Sequence, residues 1–510
     1  MAIAPEKLAA SLEALEALQL GGTVAIRSTD LSRTHRERLL NAGFLKEVMK
    51  GWYISSRPDE AAGESTAWYT SFWDFIAQYF GVRFGKAWSL SPEQSLVLLS
   101  GNLTVPAQLL VRAPNARNGA TDFPHGTSVF EARARIAEGG DLTTVDNMHV
   151  FTLEAALILV SDSFFANHPT DARALLATIP DASGLLARLL AGGHTRAAGR
   201  LAGAFRNIGN SRIADDILAA MKAALHEVRE SDPFDRIIPV LGVGRPVSAH
   251  VNRIRLLWSG MREDVIARLP PAEPAPNDID AYIEAVEAVY VTDAYHSLSI
   301  EGYRVSRELI EWVRTGAWNP EANAQGLEHK NALAARGYWL AFQAVKQTIR
   351  AVLEGKNPGQ AVNDDLGSWY RELFTPSITA GLVPAAQLAG YRNGPVYIRR
   401  SMHVPLRVEA VRDCMPVFFE LLSEEENPAA RIVLGHFIFV YIHPYFDGNG
   451  RTARFLMNVM MAAAGLPWTI IRVEQRDAYM STLEQASVAG NIVPFADFIA
   501  NTLREAISQT

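Results

Sequence analysis

The sequence predicts a mainly α protein in which an all-α C-terminal core follows a winged helix and a small α/β unit. Three observations carry that prediction. Long helical patterns fill the chain after residue 277, short apolar and polar pieces broken by Pro and Gly fill residues 65–160, and a basic helix followed by an aromatic hairpin pattern occupies the first 57 residues. The 510 residues leave room for about three domains. Hydrophobic residues make up 48% and charged residues 20%, a balance that excludes disordered and collagen-like chains. The net charge of −7 (48 basic against 55 acidic residues) excludes a cationic nucleic-acid coat. The single cysteine, Cys414, excludes an intrachain disulfide framework and any multi-thiolate zinc site. The N-terminal stretch has no signal-peptide pattern, and no run reaches the ~18 apolar residues of a membrane span. A cytoplasmic protein with no membrane association is the expectation.

Four segments are expected: a winged helix-turn-helix over 1–60, a mixed α/β then helical domain over 61–232, a connecting helix and Pro-rich linker over 233–280, and a catalytic domain over 281–510. In the first, Ser32 to Ala42 reads as a helix ended by Gly43 and preceded by a polar turn at Ser28 to Leu31. Phe44-Leu45 and Trp52-Tyr53-Ile54, around the turn at Met49-Lys50-Gly51, read as a hairpin. Residues 27–57 hold seven Lys or Arg and three acids, a local +4. Such a helix can enter a DNA major groove while its cations neutralise phosphates, or it can be the solvated face of a protein-binding wing; both readings stay open. Ser95 to Leu99 and Gln108 to Arg112 are pieces of the α/β unit, and Ala214 to Val228 has helical spacing. Four prolines in Leu269 to Asn277 mark the linker. Gly242-Val243-Gly244-Arg245-Pro246 lacks the third glycine of a dinucleotide loop, and no GxxxxGK[ST] pattern occurs.

The chemistry concentrates in His443-Pro444-Tyr445-Phe446-Asp447-Gly448-Asn449-Gly450-Arg451-Thr452-Ala453-Arg454, between two helices that read as buried. Arg451 and Arg454 fall three apart in the first turn of the second helix, on one face. Cations at a positive helix end are unfavourable by about 0.3–1 kcal/mol each when exposed, so an anion is expected between them. Glycine-flanked N–H groups at that helix start form an anion cradle, and two arginines can clamp a polyphosphate. Asp447 offers a hard oxygen ligand for Mg²⁺, and His443 has the pKa range of a general base. This is the equipment of phosphoryl or nucleotidyl transfer.

The stretch resembles the Fic-family motif HxFx[DE]GNGRxxR, with Tyr445 where the family has Phe, and the resemblance extends over roughly residues 235–505. It implies transfer of AMP from ATP to a hydroxyl side chain of a target protein, with release of pyrophosphate. His443 would then deprotonate the hydroxyl and Asp447 would hold Mg²⁺. Gly448, Asn449, Gly450 and Arg451 would bind the α- and β-phosphates, and Arg454 the γ-phosphate. Ser297-Leu298-Ser299-Ile300-Glu301-Gly302 looks like the family's inhibitory motif [ST]xxxE[GN], in which Glu301 pairs with Arg454 and blocks the γ-phosphate position. Gly390 to Pro405 looks like the family's flap, a hairpin on whose Val396-Tyr397-Ile398 strand a target segment docks. Tyr479 falls where the family closes its nucleoside pocket, to stack on the base or to fill the core. His436, seven residues before His443, is expected as a core residue. The resemblance also allows self-modification and a homodimer.

The basic helix, glycine and Trp52-Tyr53 strand give residues 20–230 a resemblance to antitoxins of the abortive-infection type, which pair a winged helix with an α/β unit. Two alternatives to AMP transfer follow: removal of AMP, with Glu301 activating a water, and a DNA-binding regulator with a quiescent Fic core.

Overall fold

The computed structural model describes residues 5–58, 65–137, 140–238, 248–271, 276, 278–318 and 327–508. The chain divides into two compact units, Met1–Arg253 with Tyr397–Val404, and Ile254–Val396 with Pro405–Thr510. Gly242 to Pro246 and most of the Pro-rich linker lie outside the described residues.

In the first unit, the Ser32 side chain accepts from the His35 backbone N–H at 3.2 Å and starts the helix Arg33–Asn41, with Gly43 at φ +78° beyond its end. Strands β1 (Ile26–Arg27), β2 (Leu45–Met49) and β3 (Trp52–Ser55) form an antiparallel sheet in the order β1-β3-β2. The expected helix and hairpin are therefore present. Their charges are largely engaged close by. Arg27 pairs with Asp30 at 2.8 Å, Arg33 with Glu37 at 2.7 Å, and Arg36 donates to the Ser28 carbonyl at 2.6 Å. Trp52 sets its ring edge-on against Phe75 and Tyr79 of the helix Thr66–Phe84, at 6.1 and 5.1 Å between centroids. The hairpin thus shares a core with the α/β segment instead of standing apart from it.

The α/β segment carries β4 (Ser89–Leu90), β5 (Gln108–Ala113), β6 (Gly119–Asp122) and β7 (Ser128–Arg133) in the order β4-β5-β7-β6, with β5 and β7 parallel. Strands β8 (Leu142–Val145) and β9 (Met148–Phe151) form a separate hairpin. Leu109, Val111 and Ala113 alternate inward along β5. Ser95 to Leu99 is helical, because Ser91 caps the Gln94 N–H at 3.2 Å and Pro92 opens the turn. Short helices then run to Ala223.

One buried ion pair ties this helical part together. Asp171 meets Arg253, and its carboxylate also accepts from Ser100 Oγ at 2.5 Å and Asn102 Nδ2 at 3.2 Å. Burial works to raise the Asp171 carboxyl, but the Arg253 charge and these hydrogen bonds outweigh it and leave the group below its ordinary value.

Among its described residues the second unit carries helices and no strand. At its centre lies the helix Asn449–Ala463, every residue of which except Gly450 and Ala463 is buried. It packs against the helices Pro428–Ile442, Leu327–Leu353 and Pro358–Thr379. The last two approach closely, since a Cβ at Gly337 would strike the Leu373 carbonyl. The expected flap hairpin at Val396, Tyr397 and Ile398 is corrected: residues 391–407 carry no strand. Pro395 has no N–H to give, and the carbonyls of Gly394 and Leu406 accept from the Arg392 guanidinium instead of from a facing strand. Residues 397–404 belong to the first unit, where the Met402 carbonyl accepts from the Val105 N–H at 3.0 Å. Among the described residues no helix is long and apolar enough to cross a membrane.

Replacing Asp171 by Ala removes the carboxylate that buried Arg253 meets and should lower stability by about 3–5 kcal/mol in denaturant titration. Arg33→Ala, which breaks an exposed pair on the basic helix, should leave the transition midpoint unchanged in the same experiment.

Candidate active site

The helix Pro428–Ile442 ends at His443, whose backbone turns into the left-handed region at φ +54° while its N–H still bonds the Phe439 carbonyl at 3.0 Å. That turn presents the imidazole at the helix end. Nδ1 lies 3.2 Å from the Val440 carbonyl, which can only accept, so Nδ1 carries the proton and Nε2 the lone pair. Burial pushes the His443 pKa down to about 4. The Arg392 charge adds to the fall, and Val440, Glu301 and Asp447 oppose it. The ring is therefore neutral at pH 7, in the protonation state of a base.

The loop that follows is closed by Asn449. Its Oδ1 accepts from the Tyr445 N–H at 3.0 Å and its Nδ2 donates to the Tyr445 carbonyl at 2.8 Å. The Asn449 side chain is thus spent on the loop, and the backbone N–H groups are what the turn leaves for an anion. Tyr445 packs inward, stacked on Tyr370 with centroids 3.8 Å apart. Gly448 adopts φ +81° as the cap of the second helix, and no side chain caps that helix start. A Cβ at Gly448 would come within 2.8 Å of the Phe374 ring. Asp447 is more than half exposed, with Oδ1 on the Gly448 N–H at 2.6 Å and Oδ2 3.3 Å from Arg451.

Both arginines are buried, at 1% and 4% exposure for Arg451 and Arg454, but only Arg451 lies in the first turn; the helix starts at Asn449, which puts Arg454 in the second. Arg451 lies between the ring faces of Tyr303 and Phe374, with its guanidinium carbon 5.3 and 5.1 Å from their centroids. Its Nε and one terminal nitrogen make no hydrogen bond. Arg454 donates from Nε to Ser297 Oγ at 2.9 Å, and from a terminal nitrogen to the Ser297 carbonyl at 3.0 Å and Glu301 Oε1 at 2.7 Å. Burial alone would lower the Arg454 pKa, but the Glu301 carboxylate holds it above its ordinary value.

Ser297 and Glu301 come from the helix Tyr290–Ile300, which ends at Glu301 with Gly302 at φ +88° beyond it. The Glu301 carboxylate leans over the start of the second motif helix so closely that a Cβ on Gly450 would collide with Oε1. A chain-borne anion therefore occupies the cradle. One turn earlier, buried Asp293 accepts from Tyr338 at 2.6 Å, and burial raises its pKa to about 6.

The structure thus brings His443, Asp447, Gly448, Gly450, Arg451, Arg454, Ser297 and Glu301 to one helix end. Tyr479 takes the core alternative: it is 2% exposed, its hydroxyl meets His436 Nε2 at 2.9 Å, and its ring packs on Phe495 and Phe498. Val396, Tyr397 and Ile398 stand in no strand. Tyr303, Phe374 and Arg392 escaped the sequence reading. Their only signals were the place of Tyr303 beside Gly302 and of Arg392 beside the flap glycines.

Residues 363–461 match the Fic/DOC family. They are a Fic domain. A Fic protein adenylyltransferase from Nematostella vectensis is 32% identical over 228 residues, covering 44% of this chain and 49% of that protein. One from Drosophila grimshawi is 36% identical over 221 residues, covering 42% of each. The chain thus spans about half the length of these relatives or less. The solved structure of Fic-1 from Caenorhabditis elegans is aligned with 68% of this chain and 96% of its own, at 20% identity and a TM-score of 0.36.

The His443 assignment has a direct check in a histidine Cε1–H titration of the full chain, with His443→Ala identifying the signal. A midpoint near 4 is expected, and one at or above the ordinary 6.5 would contradict the burial argument. His436 is depressed further, to about 3. Because both folded values lie below the unfolded one, the unfolded chain takes these protons first. Stability should therefore fall as the pH drops from 6.5 through 4.

Proposed function

We propose that this chain is a protein adenylyltransferase held in check by its own Glu301. The observation that carries the reading is the Glu301 carboxylate on Arg454 and over Gly450, where the cradle chemistry calls for a phosphate. The match to Fic adenylyltransferases over the same region supports the reaction class. In the transfer, Nε2 of neutral His443 takes the proton of a target hydroxyl as its oxygen bonds the α-phosphorus of ATP. The bond from the α-phosphorus to the bridging oxygen breaks, and pyrophosphate leaves.

The chain's residues divide this work. The N–H groups around Gly448 and Gly450 and the Arg451 guanidinium, with its unbonded nitrogens, receive the α- and β-phosphates. Arg454 receives the γ-phosphate once Glu301 withdraws. Among the described residues no cluster of three His, Cys, Asp or Glu could hold a metal, but the exposed Asp447 carboxylate fits a Mg²⁺ whose remaining ligands are phosphate oxygens and water. When bound, that ion would offset phosphate charge in the transition state. While Glu301 stays in place, the γ-phosphate position is taken and ATP is held unproductively or excluded.

With ATP labelled at the α-phosphate, Glu301→Gly should raise transfer of label to protein by about tenfold or more over the native chain. His443→Ala in that background should abolish it. A Glu301→Gly chain that binds ATP and labels nothing would exclude AMP transfer. Release of AMP from modified protein, lost in Glu301→Gly, would identify hydrolytic removal of AMP, with Glu301 activating water.

A further inference from the structure

Arg392 is 1% exposed and its polar groups are committed to backbone carbonyls. Its backbone N–H donates to the Pro444 carbonyl at 2.9 Å, and its Nε to the His443 carbonyl at 2.8 Å. One terminal nitrogen donates to the Gly394 carbonyl at 3.1 Å and the other to that of Leu406. One planar fork therefore joins three stretches of chain: the start of the motif loop, the residue entering the 395–405 segment and the residue leaving it. Only arginine carries donors in a rigid array wide enough for three diverging acceptors.

The bond to His443 falls on the backbone where it is least relaxed. An L-residue at φ +54° is disfavoured by about 1–2 kcal/mol and keeps that conformation only where its surroundings hold it. That backbone turn also aims the imidazole. Two Arg392 hydrogen bonds, from Nε to the His443 carbonyl and from the backbone N–H to the Pro444 carbonyl, fix the two peptides that follow the turn.

We infer that Arg392 is a positioning residue for the general base: its guanidinium clamps the His443 carbonyl to those of Gly394 and Leu406, so that the aim of the imidazole depends on one side chain. The inference rests on the AMP-transfer reading for its kinetic consequence, but its geometric and electrostatic consequences do not need it. The charged groups that act on His443 are Arg392, which lowers its pKa, and Glu301 and Asp447, which raise it, while Val440 holds its Nδ1 proton.

The test compares Arg392→Met and Arg392→Lys with their parent, the full-length Glu301→Gly chain. It uses three readouts: ATP affinity, the split of label transfer into kcat and KM for ATP, and the His443 Cε1–H titration. Arg392→Met should lower kcat by about ten- to a hundredfold with KM for ATP within about twofold, because the base is misaimed while the phosphate cradle is intact. It should also move the His443 midpoint upward from about 4, because a nearby cation is gone. Arg392→Lys keeps the charge and should leave that midpoint near the parent value. Its kcat should stay low, since one ammonium cannot hold three separated carbonyls. A charge-only or merely structural role would not separate the two variants in this way.

The inference is overturned if Arg392→Met leaves kcat within twofold of the parent, or if Arg392→Lys restores it fully. Should Arg392→Met not fold, Arg392→Lys decides: kcat at the parent value overturns the inference, and low kcat with an unmoved midpoint and unchanged ATP affinity supports it. If the parent transfers no label at all, the AMP-transfer reading fails by itself. The ¹³C shift of the His443 carbonyl then decides: a signal unmoved in both Arg392→Met and Arg392→Lys overturns the clamp, and one displaced in both supports it.

Discussion

Two buried guanidinium groups at the positive end of one helix, Arg451 and Arg454, set the terms for everything around them. Removing a cation from water costs several kcal/mol unless an anion or aligned dipoles compensate, and the helix start adds a further unfavourable field. The two are compensated differently. Arg454 has a full counter-charge in Glu301 and two hydrogen bonds to Ser297. Arg451 has the faces of Tyr303 and Phe374, an imperfectly aligned Asp447 and two nitrogens with no hydrogen bond. A polyphosphate would complete the second and compete for the first. One electrostatic demand can thus be met by either of two anions, Glu301 or a phosphate chain.

That demand explains the placement of the surrounding elements. The helix Tyr290–Ile300 must end where it does for Glu301 to reach the cradle, and Gly302 at φ +88° turns the chain so that Tyr303 can cover Arg451. Gly448 and Gly450 keep the helix start free of side chains, since a Cβ at either would run into Phe374 or Glu301. Asn449 holds the loop by its own backbone, and Arg392 holds the loop from outside. The base, the cradle and the blocking carboxylate are fixed to one rigid core with few moving parts.

Most of the site was legible in the sequence because it is local. Twelve consecutive residues, His443 to Arg454, carry the imidazole, the Asp447 carboxylate and the glycine-flanked helix start with its two arginines, and Ser297 and Glu301 fall four apart on one helical face. What was not legible depends on long-range packing. Arg392 lies 51 residues before the histidine it clamps, and nothing in Gly390 to Ile398 distinguishes a clamp from a surface arginine. The flap hairpin failed because alternation in Val396 to Ile398 says nothing about whether partner carbonyls are free. Tyr479 reads equally as base stacker or core, and only the positions of His436, Phe495 and Phe498 decide where its ring lies. In the N-terminal half the helix and hairpin were readable from spacing and turn residues. The pairing of Arg27 with Asp30 and of Arg33 with Glu37, and the docking of Trp52 on Phe75 and Tyr79, were not.

The central claim is that Glu301 and a phosphate chain compete for the same cations. Titration calorimetry with inorganic pyrophosphate tests it most directly, without any assumption about the reaction. Glu301→Gln keeps the size of the side chain and removes its charge, so it should bind pyrophosphate about tenfold or more tightly than the native chain, and Arg454→Ala in that background should erase the gain. Equal affinity in the native chain and Glu301→Gln, or a gain that survives Arg454→Ala, would contradict it.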